Sequence, residues 1–224
     1  HRKNDLFHVI DADTEIEFKN ANVSFFKTTH SIPDSLGIDI STKEGEIVYT
    51  GDFKFDPSAK KGYRTDFVRL SEIAQKGVLA LLSDSTNAEA NFPNDRQTSI
   101  EKYIYNIFEN YDGRIIAAAK ASNIVRVQEI FQAAAATGRH VFLTGRDAGK
   151  IVYTAMKLGY LNVPKGLLVH SKDLKKIPDN ELVILETGRM GEPLKSLQKM
   201  ATNRHRMIKI KKGDLVFIAT TPSH

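Results

Sequence analysis

The 224 residues contain no cysteine. That excludes disulfides, thiolate zinc sites and cysteine nucleophiles, so any metal must be held by His, Asp or Glu. No apolar run approaches the roughly 20 residues that cross a bilayer. No signal-peptide pattern opens the stretch, and no GxxxxGKS or GxGxxG motif is present to cradle a nucleotide. Internal repeats and low-complexity tracts are also missing. What remains is an ordinary composition, 41% hydrophobic and 26% charged, which excludes a disordered chain, a collagen and a coiled coil. Such a length makes one large domain or two small ones and buries a core without staples. The chain opens on His1 and stops shortly after the apolar run ending at Ala219, so both ends read as cuts in a longer protein. A cytoplasmic setting suits the lack of cysteine.

The net charge of +5 hides an asymmetry. Residues 1–112 hold 13 basic and 19 acidic residues, a net of −6, whereas residues 113–224 hold 19 basic and 8 acidic, a net of +11. A basic half suggests an anionic partner, nucleic acid first; a solvated lysine-rich surface would give the same count.

Periodicity divides the chain in the same place. Residues 14–18 and 21–27 alternate like antiparallel strands (Ile16, Phe18; Val23, Phe25). Residues 37–40 and 46–50 flank Lys43-Glu44-Gly45, a hairpin turn. The run Val78–Leu82 reads as a buried strand. The first 85 or so residues are therefore expected to be mostly β. From Thr98 onward helix and strand alternate: helices at 98–111, 123–136, 148–158 and 193–201, strands at 115–119, 141–143, 182–186 and 215–219. That order predicts a parallel sheet with helices on its faces. The Ser/Thr/Asn and Pro-Asn-Asp stretch at 85–97 is the expected domain boundary.

Six strand-end motifs could carry chemistry. His30, in Thr-His-Ser-Ile-Pro-Asp-Ser, and Asp52, in Thr-Gly-Asp-Phe-Lys-Phe-Asp, stand 22 residues apart and flank a hairpin. The two strands could bring them to one end of the sheet as an imidazole–carboxylate pair for a divalent metal. A structural His and a turn Asp remain the alternative. Asp84 closes the apolar run and could orient a metal-bound imidazole, or cap a turn. The turns at Lys120-Ala121-Ser122-Asn123, Thr144-Gly145-Arg146-Asp147 and Thr187-Gly188-Arg189 each join a strand to a helix, where free N–H groups favour phosphate. In a parallel sheet all three lie on the carboxyl edge, where ligands bind. Residues 189–212 add eight basic side chains against one acid, a fair phosphate-contacting segment or a solvated face.

Taken together, TTHSIPDSLGI, IVYTGDFKFD, LLSDSTNAE, ASNIVRVQ, GRDAGK and TGRMGEPLKSLQKMA resemble the ribonuclease J family, metallo-β-lactamase enzymes with a β-CASP insert. The resemblance covers essentially the whole chain. It implies an α/β fold: residues 1–88 as the end of the first segment of the lactamase αββα sandwich, and residues 89–224 as an incomplete β-CASP domain. It implies metal ligation by His30 and Asp52, with Asp84 as the acidic first β-CASP motif. It also implies RNA or phosphate contacts at Ser122, Asn123, Arg126, Arg146 and Arg189.

The implied activity is metal-dependent ribonuclease action, 5′–3′ exonucleolytic and endonucleolytic, in RNA decay and ribosomal RNA processing. Two divalent metals per site are implied, zinc first and manganese or magnesium next. The family's HxHxDH cluster would precede residue 1. Val125 stands where active members often have His, and Arg189-Met190 where they often read Ser-Gln. Both departures resemble a second, weaker paralogue within the family. They imply an alternative: a weakly active or non-catalytic RNA-binding subunit that partners an active paralogue, or a homo-oligomer (dimer or tetramer).

Overall fold

The computed structural model of the chain describes residues 7–56, 59, 62–86, 88–89, 96–188 and 193–220, the side chains of 96–99 excepted. The chain divides into two compact units, His1–Asn94 and Asp95–His224. The architecture is α/β, with one mixed and one parallel sheet flanked by helices.

In the first unit β1 (Glu15–Phe18), β2 (Ala21–Lys27), β3 (Leu36–Ser41), β4 (Glu46–Tyr49) and β5 (Val78–Leu82) lie side by side in chain order. The first three pairings are antiparallel and β4–β5 is parallel. Alternation sets the register, and the core gathers Phe26, Val48 and Ile73. Gly37 faces Phe26 across the β2–β3 ladder. A Cβ on Gly37 would stand 2.2 Å from the Phe26 ring, so the ring occupies the space the glycine leaves.

This unit adds one element that the sequence reading did not name and corrects one expectation. First, the β4–β5 crossover is a helix, α1 (Phe67–Lys76), capped by Asp66 accepting from the Arg69 N–H at 3.0 Å. Its apolar residues Phe67, Leu70, Ile73 and Ala74 have helical spacing, but Ile73 is its single buried residue, so the stripe is thin. Second, β5 is not buried. Every residue of Val78–Leu82 is exposed: the strand pairs with β4 at the end of the sheet, and little among the described residues covers its faces. An apolar run reports what a strand can bury; the described residues supply little cover for it.

The second unit follows its expected alternation closely. It contains α2 (Arg96–Asn110), β6 (Ile115–Ala118), α3 (Ile124–Ala136), β7 (His140–Thr144), α4 (Ala148–Lys157), β8 (Leu182–Glu186), α5 (Pro193–Ala201) and β9 (Leu215–Ile218). The strands pair in the order β7-β8-β6-β9, all parallel. Ile115, Ala117, Val183 and Leu185 pack against Ile104, Phe108, Val127, Ile130, Phe131 and Val152 of α2, α3 and α4. The alternate residues Ile116, Ala118, Ile184 and Phe142 pack against Leu197 and Met200 of α5 and against Ile208. β6 and β8 are fully buried, as uninterrupted apolar runs in a two-layered parallel sheet should be.

Two arginines close the lower edge of this sheet. Arg139, 4% exposed, donates to the carbonyls of Phe108 and Gly113 at 3.0 Å each and to that of Tyr111, so it caps the carboxyl end of α2. Burial pulls its guanidinium below the usual arginine range, and Asp112 opposes the shift. Arg114 grips Asp214 with Nε at 2.9 Å and Nη2 at 2.5 Å, joining the strand starts of β6 and β9.

Candidate functional site

In the first unit three strand ends are tied together by backbone and hydroxyl bonds. After β2, Thr29 is held through its N–H on the Thr65 hydroxyl (3.0 Å), while the Thr65 N–H donates back to the Thr29 hydroxyl (2.9 Å). The Thr29 carbonyl accepts from the Lys54 N–H at 2.9 Å, which draws the segment after β4 alongside. Thr50 donates its N–H to the Leu82 carbonyl at 3.1 Å, and its hydroxyl accepts the Asp84 N–H at 3.1 Å.

These bonds bring the three predicted residues of this unit together. His30 Nε2 stands 3.8 Å from Asp52 Oδ2, with the imidazole 28% and the carboxylate 76% exposed. Two ligands of one tetrahedral zinc, at about 2.0–2.2 Å each, stand about 3.3 Å apart. The pair therefore fits two positions of a metal site after a shift of about half an ångström. Among the described residues no group of three or more His, Cys, Asp or Glu side chains is placed to hold a metal.

Asp84 takes the turn-forming role, one of the two its sequence left open. Its Oδ1 accepts the Thr86 N–H at 2.8 Å, an Asx-type turn bond. Hydrogen bonds from Thr86, together with the Phe53 N–H and the charge of His30, hold its carboxyl below the usual range against a smaller effect of burial. It stays ionised at neutral pH and feels the charge of the imidazole that Asp52 approaches.

In the second unit the strand-to-helix turns share the carboxyl edge, as a parallel sheet requires. Ser122 is exposed. Asn123 caps α3, its Oδ1 accepting the Arg126 N–H at 3.0 Å. Arg126 is less free than its sequence suggests: its side chain is 13% exposed and its Nη1 lies 2.5 Å from Glu129 Oε2. Arg146 is exposed on the turn after β7. Arg189 lies outside the described residues. Ala121, Ser122, Asp147, Ala148, Thr187 and Gly188 line a small concavity of about 190 Å³. The turns after β7 and β8 press together at Gly145, whose φ is +126° and where a Cβ would stand 2.3 Å from Thr187 Oγ1 and 2.9 Å from the Gly188 carbonyl. Only glycine fits that approach.

The family model of the ribonuclease J β-CASP domain matches residues 112–223. The chain belongs to the ribonuclease J family. It is 56% identical to "Ribonuclease J 2" of Streptococcus pyogenes over 223 residues, which is 99% of this chain and 40% of that protein. It is 43% identical to "Ribonuclease J 2" of Staphylococcus epidermidis over 222 residues, again 99% of this chain and 40% of the relative. With the Staphylococcus aureus protein of the same name the identity is 42% over 217 residues, 97% of this chain and 39% of the other. The chain thus spans about 40% of the length of the curated relatives it matches. A crystal structure of a protein of unknown function from Enterococcus faecalis superposes with a TM-score of 0.61 at 13% identity, covering 96% of this chain and 56% of that one. That likeness shows the fold alone.

Two features of this ribonuclease J segment escaped sequence reasoning. Glu186 ends β8 with no exposed surface. Its Oε1 accepts the Gly188 N–H at 2.6 Å, and His205 Nε2 lies 3.9 Å from Oε2. Burial pushes this carboxyl up, opposed by the Gly188 N–H, Ser196 and His205. His205 Nδ1 accepts the Ile208 N–H at 3.0 Å, which leaves its proton on Nε2, toward the glutamate. A carboxylate closing an apolar strand just before Thr-Gly was the available signal. The other is a groove beside α2, lined by Ile100, Tyr103, Lys120, Asn123, Arg126 and Phe217 with the end of β9. Its wall joins residues 100–126 to residues 217–220, about a hundred residues further on, so no local pattern announces it.

Proposed function

We propose that this chain is part of a metal-dependent ribonuclease in which His30 and Asp52 are metal ligands and Asp84 orients the imidazole. The observation that carries the reading is the meeting of His30, Asp52 and Asp84 at three tied strand ends, in a chain of the ribonuclease J family. When bound, two divalent metals would supply an activated water and a clamp on the attacking and leaving oxygens of a phosphodiester. An imidazole with a carboxylate suits zinc best, and manganese or magnesium with further carboxylates. His30 and Asp52 contribute donors of fixed direction, because Thr29, Lys54 and Thr65 pin the backbone on which they stand. Asp84 remains ionised and accepts hydrogen bonds, which keeps the strand end rigid.

RNA is the substrate we assign. Ser122, Asn123, Arg146 and the basic segment that includes Arg189 would hold its phosphates along the carboxyl edge of the second unit, with Arg126 acting mainly through Glu129. Residues 1–88 are read as the end of a first lactamase segment, and residues 89–224 as β-CASP. The setting we infer is cytoplasmic RNA processing and decay, ribosomal RNA included. The test is decay of a 5′-monophosphorylated RNA by the complete protein with manganese or magnesium. We expect chelator and Asp52→Ala to abolish decay, and Asp84→Asn to slow it about 10- to 100-fold. Decay that survives Asp52→Ala refutes the assignment.

A second reading is favoured by the name shared by the three relatives, Ribonuclease J 2, and by Val125. Here the protein is a weakly active or non-catalytic RNA-binding subunit of an active paralogue, or a homo-oligomer. No decay alone, with salt-sensitive RNA retention and faster decay on mixing with the paralogue, would select it.

A further inference from the structure

From the groove beside α2 we infer a nucleobase subsite: an unpaired base of single-stranded RNA stacks on Tyr103 and Phe217 while its phosphate lies against Lys120 and the Asn123 amide. The inference rests on the RNA reading above and narrows it to single strands.

The groove measures about 520 Å³, within the ~300–1,000 Å³ of pockets that hold small ligands. Tyr103 is 58% exposed although it is an aromatic residue on a core-packed helix. Its ring stands 6.1 Å from that of Phe217 at 51°, so the two make an angled aromatic corner. Every base has a π-face, and aromatic side chains beside a cationic track are how single strands are held without sequence preference.

The cationic track is present. Lys120 lies in the turn after β6, half-buried and on the groove wall. Asn123 spends its Oδ1 on the α3 cap, which leaves its side-chain N–H groups for a phosphate or a base edge. Arg126 Nε is buried without a partner among the described residues.

Comparison with two other concavities of this unit decides the choice. A groove of similar size between α2 and α3, about 540 Å³, is lined by two carboxylates, Glu101 and Glu129, beside Lys102, and the small concavity near Ser122 contains Asp147. Carboxylates repel phosphate. Among the described residues the groove of Tyr103 has no acidic residue in its wall and carries Lys120, with Arg126 beside it held by Glu129. A duplex hides its base faces in the stack, so it cannot use an aromatic corner.

The test is equilibrium binding to the complete protein, in chelator to prevent cleavage, of two fluorescent probes of equal length. One is a 5′-phosphorylated oligouridylate and the other its abasic counterpart. Tyr103→Ala should weaken the oligouridylate about 10-fold and leave the abasic probe unchanged. Tyr103→Phe should bind like the unaltered protein. Lys120→Gln should weaken both probes and lower the slope of log affinity against log salt by about one. If Tyr103→Ala affects neither probe, or both equally, while Lys120→Gln still weakens them, the RNA reading stands and the stacking site is refuted. An equal loss on both probes with a lowered melting temperature would mean that Tyr103 is packing against another part of the protein. If the unaltered protein retains neither probe, the RNA reading falls and the subsite with it.

Discussion

Replacing Arg139 tests whether a lone buried arginine, rather than apolar packing, closes the end of α2. The side chain donates to three carbonyls, those of Phe108, Tyr111 and Gly113. A hydrogen bond from a charged donor contributes about 1.5–3 kcal/mol. Phe108 is 1% exposed, so its carbonyl loses nearly the full amount in Arg139→Met. Tyr111 and Gly113 are half-buried, and water can replace part of what they lose. The guanidinium's own desolvation cost is relieved, which offsets some of the loss. The net is about 3 kcal/mol, a large share of the roughly 5–15 kcal/mol that holds a domain together. At about 3–5 °C per kcal/mol for a unit of this size, the melting temperature should fall by about 10–15 °C. Arg139→Lys keeps the charge but reaches fewer carbonyls, so about half that drop is expected. Thermal unfolding followed by circular dichroism gives the magnitude, and amide exchange at residues 108–114 gives the location. A melting temperature for Arg139→Met within about 2 °C of the unaltered protein, with protection at 108–114 intact, would refute the reasoning.

Two further outcomes follow from buried carboxylates and from the pressed turns. Asp39 is 1% exposed, and burial, then the neighbouring Glu46, raises its pKa. The folded state therefore binds its proton more tightly than the unfolded one. The stability present below the unfolded value of about 3.9 is lost as pH rises through the folded value. Asp39→Asn should raise the melting temperature at pH 7 and leave it unchanged near pH 3; a shift of equal size at both would contradict this. Gly145→Ala forces a Cβ onto Thr187 and the Gly188 carbonyl at a φ of +126°, a strain of about 1–3 kcal/mol. It should lower both stability and RNA retention, whereas Gly149→Ala, with nothing within 4 Å of the new Cβ, should be neutral or stabilising.

The second unit was legible almost element by element, because each strand there is a short apolar run and each helix carries a wide stripe. Ile124, Val127, Ile130, Phe131 and Ala134 of α3 are all buried, and that periodicity is visible in sequence. In the first unit α1 hides a single residue, Ile73, and its thin stripe was passed over. Strand ends were partly readable: the hairpin between His30 and Asp52 could bring them to one end of the sheet, and the two side chains stand 3.8 Å apart. Exposure was not readable for β5, since five apolar residues look the same whether or not a neighbour covers them. Nor was Arg126's engagement with Glu129, although the i,i+3 spacing was there to be noticed. The groove at Tyr103 depends on α2, the turn after β6 and β9 coming together, and only the sheet order supplies that.

The same sheet order fixes when the second unit can exist during synthesis. β6 sits between β8 and β9, and Ile115 pairs with Val183 and Leu215. The central strand therefore leaves the ribosome without either neighbour. At about 5–20 residues per second, the hundred residues that separate it from β9 take about 5–20 s to be made. Until β8 emerges, Ile115, Ile116 and the alanines after them have no paired strand, and the β9 side of β6 stays open for the whole interval. The strand that ends the wait, β9, also brings Phe217 to Tyr103 and Asp214 to Arg114. An emerging chain therefore gains its aromatic corner and the buried Arg114–Asp214 ion pair in the same step, late in translation of this segment.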